Sequence, residues 1–191
     1  MHEARAVSEV GRLLSSAYGG AGVIGIDGTD GVGKTTLANE LGRAIGVPIV
    51  SLDDFIVKNQ GSYVPHLQIS DLREALASAG RPVIVDGVCL LAALERLSLQ
   101  ADVLVYVKRV ADWGHWYDED ACDPEEDEET LIARLSREAA DFARLDAQLS
   151  SEPVPAEGET GLTALREEII RYHCQYRPSR RAQISFLRAA G

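Results

Sequence analysis

The chain has 191 residues, which is enough for one domain with a full hydrophobic core. Hydrophobic residues make up 46% of it and charged residues 26%, ordinary values for a soluble globular protein. The net charge of −11, without a lysine- or arginine-rich block, argues against nucleic acid and against an anionic membrane as partners. No apolar stretch reaches the length of a membrane span, about 18 residues, and the N-terminus lacks a signal-peptide pattern. We therefore expect a soluble cytoplasmic protein.

The chain alternates between short apolar runs and segments with helical spacing. The apolar runs predict five strands, at residues 23–27, 48–52, 82–86, 103–107 and 183–187. The helical spacing predicts helices at residues 4–17, 34–45, 71–79, 88–97, 130–149 and 163–176. Continuous apolar strands that alternate with helices indicate an α/β fold, with a doubly wound parallel five-stranded sheet and helices on both faces.

The pattern predicts a single domain over residues 1–191, because no linker is long enough to mark a second one. An N-terminal helix at 4–17 precedes the first strand. After the fourth strand, residues 112–130 interrupt the pattern with two tryptophans and a run of acidic residues. This segment is predicted to be a lid-like insertion, although such a run is also typical of a solvated surface. Residues 150–161 are predicted to form a loop.

Residues 28–35, Gly-Thr-Asp-Gly-Val-Gly-Lys-Thr, match the pattern G-x-x-x-x-G-K-[ST] and are called the phosphate loop below. The loop stands between a predicted strand and a predicted helix, as the pattern requires. Its glycines let backbone N–H groups approach phosphate oxygens, and the following helix N-terminus favours the same anion. We expect Lys34 to reach the β- and γ-phosphates and Thr35 to bind Mg²⁺. The predicted nucleotide-binding residues are Gly28, Thr29, Asp30, Gly31, Val32, Gly33, Lys34, Thr35 and Thr36.

Aspartates stand at the ends of predicted strands, where parallel sheets bind ligands. Asp53 is the candidate general base, which would orient an acceptor hydroxyl and take its proton. Asp86 is the candidate for holding a magnesium-bound water. Asp27 is expected to shape the phosphate loop, and Asp54 to be a cap or turn residue. Asp30 is expected to point outward or toward the acceptor, because a carboxylate facing the phosphate would be unfavourable.

Four segments, in order, resemble the uridine kinase-like family of P-loop kinases: IGIDGTDGVGKTTLANEL, VSLDDFI, RPVIVDGVCLL and DVLVYVKR. A weaker similarity is RYHCQYRPSRRAQISF near the C-terminus. The phosphate loop is also similar to that of thymidylate kinases. The resemblance implies phosphorylation of a small-molecule hydroxyl, with ATP or GTP and Mg²⁺ as cofactors.

The resemblance also implies roles for individual residues. The family's Asp-x-Phe-Tyr motif, whose Asp is the base, falls on residues 53–56, where the final Tyr is absent. Its acidic-Gly motif falls on Asp86 and the glycine that follows. Its His-Pro loop loosely resembles residues 63–66, which makes Tyr63 and His66 candidate substrate contacts, or else loop residues without a role.

The family closes a lid with arginines on the phosphates, and here the corresponding segment is acidic. The candidate lid or nucleotide residues are Arg109, just after the fourth strand, and Arg134 and Arg137 on the following helix. The alternative for the last two is a charged solvent face with ion pairs.

Three functions remain open. The first is a kinase that uses ATP and Mg²⁺ on a neutral hydroxyl substrate, such as a nucleoside, sugar or vitamin precursor. The second is a nucleoside-monophosphate kinase of thymidylate kinase type, which needs arginines for the acceptor phosphate, whereas residues 53–71 contain only Lys58 besides a histidine. The third is a nucleotide-dependent regulatory module without a small acceptor. The expected partner is a small molecule, and a homodimer is left open.

Overall fold

Six parallel strands form one sheet in the computed structural model, which describes residues 1–57, 60–150 and 161–189. The strands are β1 (His2–Ala4), β2 (Val23–Asp27), β3 (Ile49–Ser51), β4 (Val83–Asp86), β5 (Val103–Val110) and β6 (Ile184–Ala189). Their order across the sheet is β1-β6-β5-β2-β4-β3. The predicted α/β fold with a parallel sheet is confirmed, but the predicted number of strands is wrong, because the sheet has six strands instead of five.

The strand that periodicity does not predict is β1, at the edge of the sheet. It pairs with β6, with His2 opposite Ile184 and Ala4 opposite Phe186. Only Ala4 of its three residues is buried, so the segment has no apolar run to detect. Its strand conformation depends on a partner at the other end of the chain.

The helices of the described residues are α1 (Val7–Ala17), α2 (Lys34–Ile45), α3 (Ile69–Ala79), α4 (Leu90–Arg96), α5 (Glu119–Cys122), α6 (Glu128–Ser150), α7 (Ala164–Tyr176) and α8 (Pro178–Arg181). Two short 3-10 turns lie at Leu52–Phe55 and Val64–His66. The predicted helix at 4–17 begins later, because residues 2–4 belong to β1. The predicted insertion at 112–130 contains α5 and the start of α6. Most of the loop predicted at 150–161 lies outside the described residues.

Helices cover both faces of the sheet, which explains why the strands are apolar at consecutive positions. On one face, residues such as Val23 and Val85 pack against α3, α4 and α7. On the other face, residues such as Ile24 and Ile84 pack against α1 and α2. The strand order brings the carboxyl ends of β2, β4 and β3 together at one edge. None of the helices in the described parts of the chain is both long enough and apolar enough to span a membrane.

Candidate active site

The phosphate loop joins β2 to α2, and its glycines Gly28, Gly31 and Gly33 have φ values of 149°, 69° and 96°. A Cβ atom at Gly28 would lie 2.8 Å from the carbonyl oxygen of Val107, so neither the conformation nor the space suits another residue. Lys34 is the first residue of α2. The loop therefore leads directly into a helix N-terminus, which favours a bound anion.

The side chain of Lys34 lies inside the phosphate loop and is only 6% exposed. Its Nζ atom donates a hydrogen bond to the carbonyl oxygen of Thr29 at 2.7 Å. Burial lowers the pKa of Lys34, and the negative charge of Asp27 partly opposes that shift. Because the ammonium group has lost most of its water, an anionic phosphate in the loop would give it a strong replacement partner.

Thr35 and Asp86 join the phosphate loop to the end of β4. The Thr35 hydroxyl donates to Oδ2 of Asp86 at 2.8 Å. The other carboxylate oxygen, Oδ1, is buried and has no hydrogen-bond partner. Burial raises the pKa of Asp86, and the hydrogen bond from Thr35 partly opposes that shift.

This pair fits a Mg²⁺ ion. A hydroxyl and an unpartnered carboxylate oxygen are the hard oxygen donors that Mg²⁺ prefers, and the ion usually keeps several waters and nucleotide oxygens as further ligands. No group of three or more His, Cys, Asp or Glu side chains within the described ranges could hold a metal ion by itself. The residues present are therefore compatible with a magnesium that arrives with a nucleotide.

Replacing Asp86 with Asn is expected to raise the Mg²⁺ concentration needed for half-maximal ATP binding by about 10- to 100-fold. The substitution keeps the size of the side chain and removes the charge that would hold the ion or its water. Magnesium titrations of ATP binding by calorimetry measure the effect without turnover. Asp71→Asn, at an exposed position on α3, is the matched control. An unchanged magnesium midpoint in Asp86→Asn would contradict the assignment.

Asp53 follows β3, in the 3-10 turn Leu52–Phe55, and its side chain is exposed. The buried Tyr63 donates a hydrogen bond from its hydroxyl to Oδ1 of Asp53 at 2.5 Å. Burial lowers the pKa of Lys34 and raises that of Asp86, and the negative charge of Asp53 opposes the first shift and adds to the second. A carboxylate, an ammonium group and a metal-compatible pair thus share one edge of the sheet.

A second buried carboxylate, Asp27, lies at the end of β2 and supports the start of the phosphate loop. Its Oδ1 atom accepts the backbone N–H of Gly28 at 2.7 Å, and its Oδ2 accepts the hydroxyl of Tyr172 on α7. Burial raises the pKa of Asp27 to about 6, against the opposing effect of these hydrogen bonds. Next to Tyr172, burial lowers the pKa of His173 to about 4. Tyr172 therefore connects α7 to the phosphate loop indirectly, through Asp27.

Asp27 is expected to make stability fall as pH rises from about 4 to about 6. Its folded-state pKa is about 6, against 3.8 for an ordinary aspartate, so the folded chain binds this proton more tightly than the unfolded chain. Its contribution is therefore complete below pH 4 and is lost as pH rises through 6. A shift of this size corresponds to about 3 kcal/mol.

Denaturant unfolding at several pH values measures this contribution as the difference between wild type and Asp27→Asn. The exposed Asp112→Asn variant is the control. A difference that stays constant between pH 4 and pH 7 would contradict the raised pKa.

The remaining predicted residues lie in varied settings. Thr36 and Asp30 are exposed, and Asp30 accepts the N–H of Gly31 at 2.9 Å. His66 ends the turn Val64–His66 and is half-buried. Arg109 lies 5.5 Å from the ring centre of Tyr117. The guanidinium of Arg134 pairs with Glu126 and Glu138, and Arg137 is exposed on the same helix. For Arg109, Arg134 and Arg137, a role in the lid or at the nucleotide stays a prediction.

The structure brings two other arginines to the phosphate loop. Arg188, near the end of β6, donates to the carbonyl oxygen of Val32 at 3.3 Å. Arg166, on α7, lies 3.7 Å from a carboxylate oxygen of Asp118, whose other oxygen accepts the Thr29 hydroxyl at 3.3 Å. Arg188 directly follows the predicted fifth strand, so the sequence could have suggested that it lies at the edge of the sheet where the site forms. Nothing in the sequence suggested a role for Arg166, because its contact with Asp118 depends on where α7 packs.

No protein-family model and no curated protein matches the chain. Among solved structures, a protein described as a possible uridine kinase from Bacillus stearothermophilus is similar over 94% of this chain and 96% of its own, at 16% identity and a TM-score of 0.47. Shikimate kinase from Acinetobacter baumannii is similar over 90% of this chain and 86% of its own, at 17% identity and a TM-score of 0.39. A gluconokinase from Sinorhizobium meliloti 1021 is similar over 85% of this chain and 94% of its own, at 19% identity and a TM-score of 0.33.

Similarities of this size support no inference about what the chain binds or does. The class is defined instead by the chain's own geometry. A phosphate loop follows strand β2 of a parallel sheet, with β4 and then β3 on one side of β2 and β5, β6 and then β1 on the other. The chain is therefore an α/β protein with a parallel sheet and a phosphate loop between β2 and α2.

Proposed function

We propose that the chain is a kinase that transfers the γ-phosphoryl group of ATP to a hydroxyl of a small molecule. The observation that carries this proposal is the grouping of Asp53, Lys34 and the Thr35–Asp86 pair at one edge of the sheet. A phosphate loop alone would suit any nucleotide-binding protein. An exposed carboxylate beside the loop adds a group that could accept a proton from an incoming hydroxyl.

Each residue would have a distinct role in the transfer. Backbone N–H groups of the phosphate loop and the ammonium group of Lys34 would hold the phosphates. Thr35 and Asp86 would hold Mg²⁺, which, when bound, neutralises charge on the phosphates. Asp53 would orient the acceptor hydroxyl toward the phosphorus atom and take its proton as the new O–P bond forms.

The acceptor is proposed to be a neutral alcohol. A phosphorylated acceptor needs cations, usually arginines, to hold its phosphate. In the described part of the segment from Asp53 to Leu67 there is no arginine. Arg96, from α4, reaches this segment but donates to the backbone carbonyl of Val64.

A panel of hydroxyl-bearing metabolites tests the proposal, with ADP release measured in the presence of MgATP. The panel pairs nucleosides with their monophosphates and includes sugars and vitamin precursors. We expect one class of neutral alcohol to stimulate ADP formation well above the acceptor-free rate. Stimulation by monophosphates alone would favour a nucleoside-monophosphate kinase. Slow hydrolysis that no acceptor changes, but a protein partner does, would favour a regulatory module.

A further inference from the structure

We propose that Tyr63 positions the carboxylate of Asp53, and that Glu168 on α7 holds Tyr63 in place. The inference rests on the proposed phosphoryl transfer, and it assigns Tyr63 a role different from the substrate contact that the family resemblance implies. Neither residue would touch the reacting atoms. Both would act through Asp53.

The side chain of Tyr63 is committed to Asp53. It is 5% exposed and packs in the same core cluster as Leu52 and Leu67, so the ring has little freedom to turn. Its hydroxyl donates to Oδ1 of Asp53 at 2.5 Å. Burial and the charge of Asp53 raise the pKa of Tyr63, which keeps the phenol protonated and therefore a donor. A tyrosine has one O–H to donate, so while this bond persists Tyr63 cannot donate to an acceptor substrate.

The backbone of Tyr63 is held by a residue more than one hundred positions away. The Glu168 carboxylate accepts the N–H of Tyr63 at 2.5 Å with one oxygen and the N–H of Val64 at 2.9 Å with the other. The ends of the segment are also joined, because Gln68 donates to the carbonyl oxygen of Phe55 at 2.8 Å. Glu168 therefore fixes the backbone at Tyr63 and Val64.

Helix α7 connects this segment to the phosphate loop. One turn beyond Glu168, Tyr172 donates its hydroxyl to Asp27, which accepts the N–H of Gly28. A single helix thus fixes both the loop proposed to hold the phosphates and the tyrosine that holds the proposed base. This arrangement sets the position of Asp53 relative to the γ-phosphate.

The geometry leaves one carboxylate oxygen for chemistry. With Oδ1 occupied by the Tyr63 hydroxyl, Oδ2 of Asp53 is the oxygen that takes the proton of the acceptor hydroxyl. The electron pair of that O–H bond then forms the new O–P bond. The bond from the γ-phosphorus to the oxygen that bridges to the β-phosphate breaks, and its electron pair leaves with ADP. A misplaced carboxylate would slow this step without weakening the hold on ATP.

Tyr63→Phe tests the positioning role, because it removes only the hydroxyl. We expect kcat with the best acceptor of the panel to fall about 100-fold, while the KM and Kd for ATP stay within about twofold. In an Asp53→Asn background the same substitution should have little further effect, since it acts through that carboxylate. Tyr176→Phe is the matched control, because Tyr176 also donates to a carboxylate, that of Glu95. An unchanged kcat with a raised KM for the acceptor would make Tyr63 a substrate contact and overturn the proposal.

Two measurements decide the inference even if no acceptor is found. Glu168→Gln should speed hydrogen exchange at the amides of Tyr63 and Val64, whereas unchanged protection would overturn the role of Glu168. Shifts of the unfolding midpoint by Tyr63→Phe and Asp53→Ala, each of which removes one partner of the hydrogen bond, should be non-additive, whereas additive shifts would overturn the bond between the two side chains. A wild-type chain that binds MgATP but phosphorylates nothing would refute the proposed function. The hydrogen-exchange and unfolding results would still decide whether Glu168 holds Tyr63 and whether Tyr63 bonds to Asp53.

Discussion

Lys34→Met is expected to lower kcat/KM for phosphoryl transfer on the order of 100- to 1000-fold. The ammonium group is the buried cation of the phosphate loop, and its hydrogen bond to the carbonyl oxygen of Thr29 aims it across the loop. Methionine has nearly the same length and keeps the packing. The loss would therefore report the missing charge at the phosphates.

The same variant makes a prediction about stability. In wild type, ATP at about one hundred times its Kd should stabilise the folded chain by about 2.7 kcal/mol. For a chain of this size that corresponds to roughly 5–10 °C in the melting temperature. Lys34→Met should lose most of this shift, yet melt no lower than wild type without nucleotide, because burial of the ammonium group is unfavourable.

Thermal melting with and without MgATP, together with ADP release, measures both effects. Lys108→Met is the control, because Lys108, on β5, contacts the ring of Trp116 and lies outside the phosphate loop. A Lys34→Met variant that is still stabilised by ATP to the same extent would show that the nucleotide binds elsewhere.

Asp53→Asn is expected to reduce kcat about 100- to 10,000-fold while ATP still binds. Asparagine keeps the size of the side chain but cannot accept the proton of an attacking hydroxyl. It can still accept the hydrogen bond from Tyr63 through its amide oxygen, so the segment around Tyr63 should stay in place. The predicted signature is a large loss in kcat with a nearly unchanged Kd for ATP.

The neighbouring Asp54 provides the control for this experiment. It lies in the same 3-10 turn, is also exposed, and loses the same charge in Asp54→Asn. Turnover should be close to that of wild type in this variant. Full activity in Asp53→Asn, or an equal loss in both variants, would show that Asp53 is not the base.

What the sequence by itself determined is local. The spacing of residues 28–35 identified the phosphate loop, because its glycines, lysine and threonine lie within eight consecutive residues. Consecutive apolar residues in β2, β4 and β5 indicated a parallel sheet covered on both faces, because these strands are buried on both sides. The apolar runs also predicted that Asp53 and Asp86 lie at strand ends, and Asp53 follows β3 while Asp86 is the last residue of β4. Their roles remain proposals.

What only the tertiary structure decided depends on contacts between distant residues. Thr35 bonds to Asp86 across 51 positions, Val64 to Glu168 across 104, and Tyr172 to Asp27 across 145. The strand β1 likewise exists only because β6 pairs with it. Periodicity reports which face of an element is buried, but it carries no information about which distant side chain will lie opposite. Those pairs are set when the strands are ordered and α7 packs on the sheet, which is why the supports of the candidate site could not be predicted from the sequence.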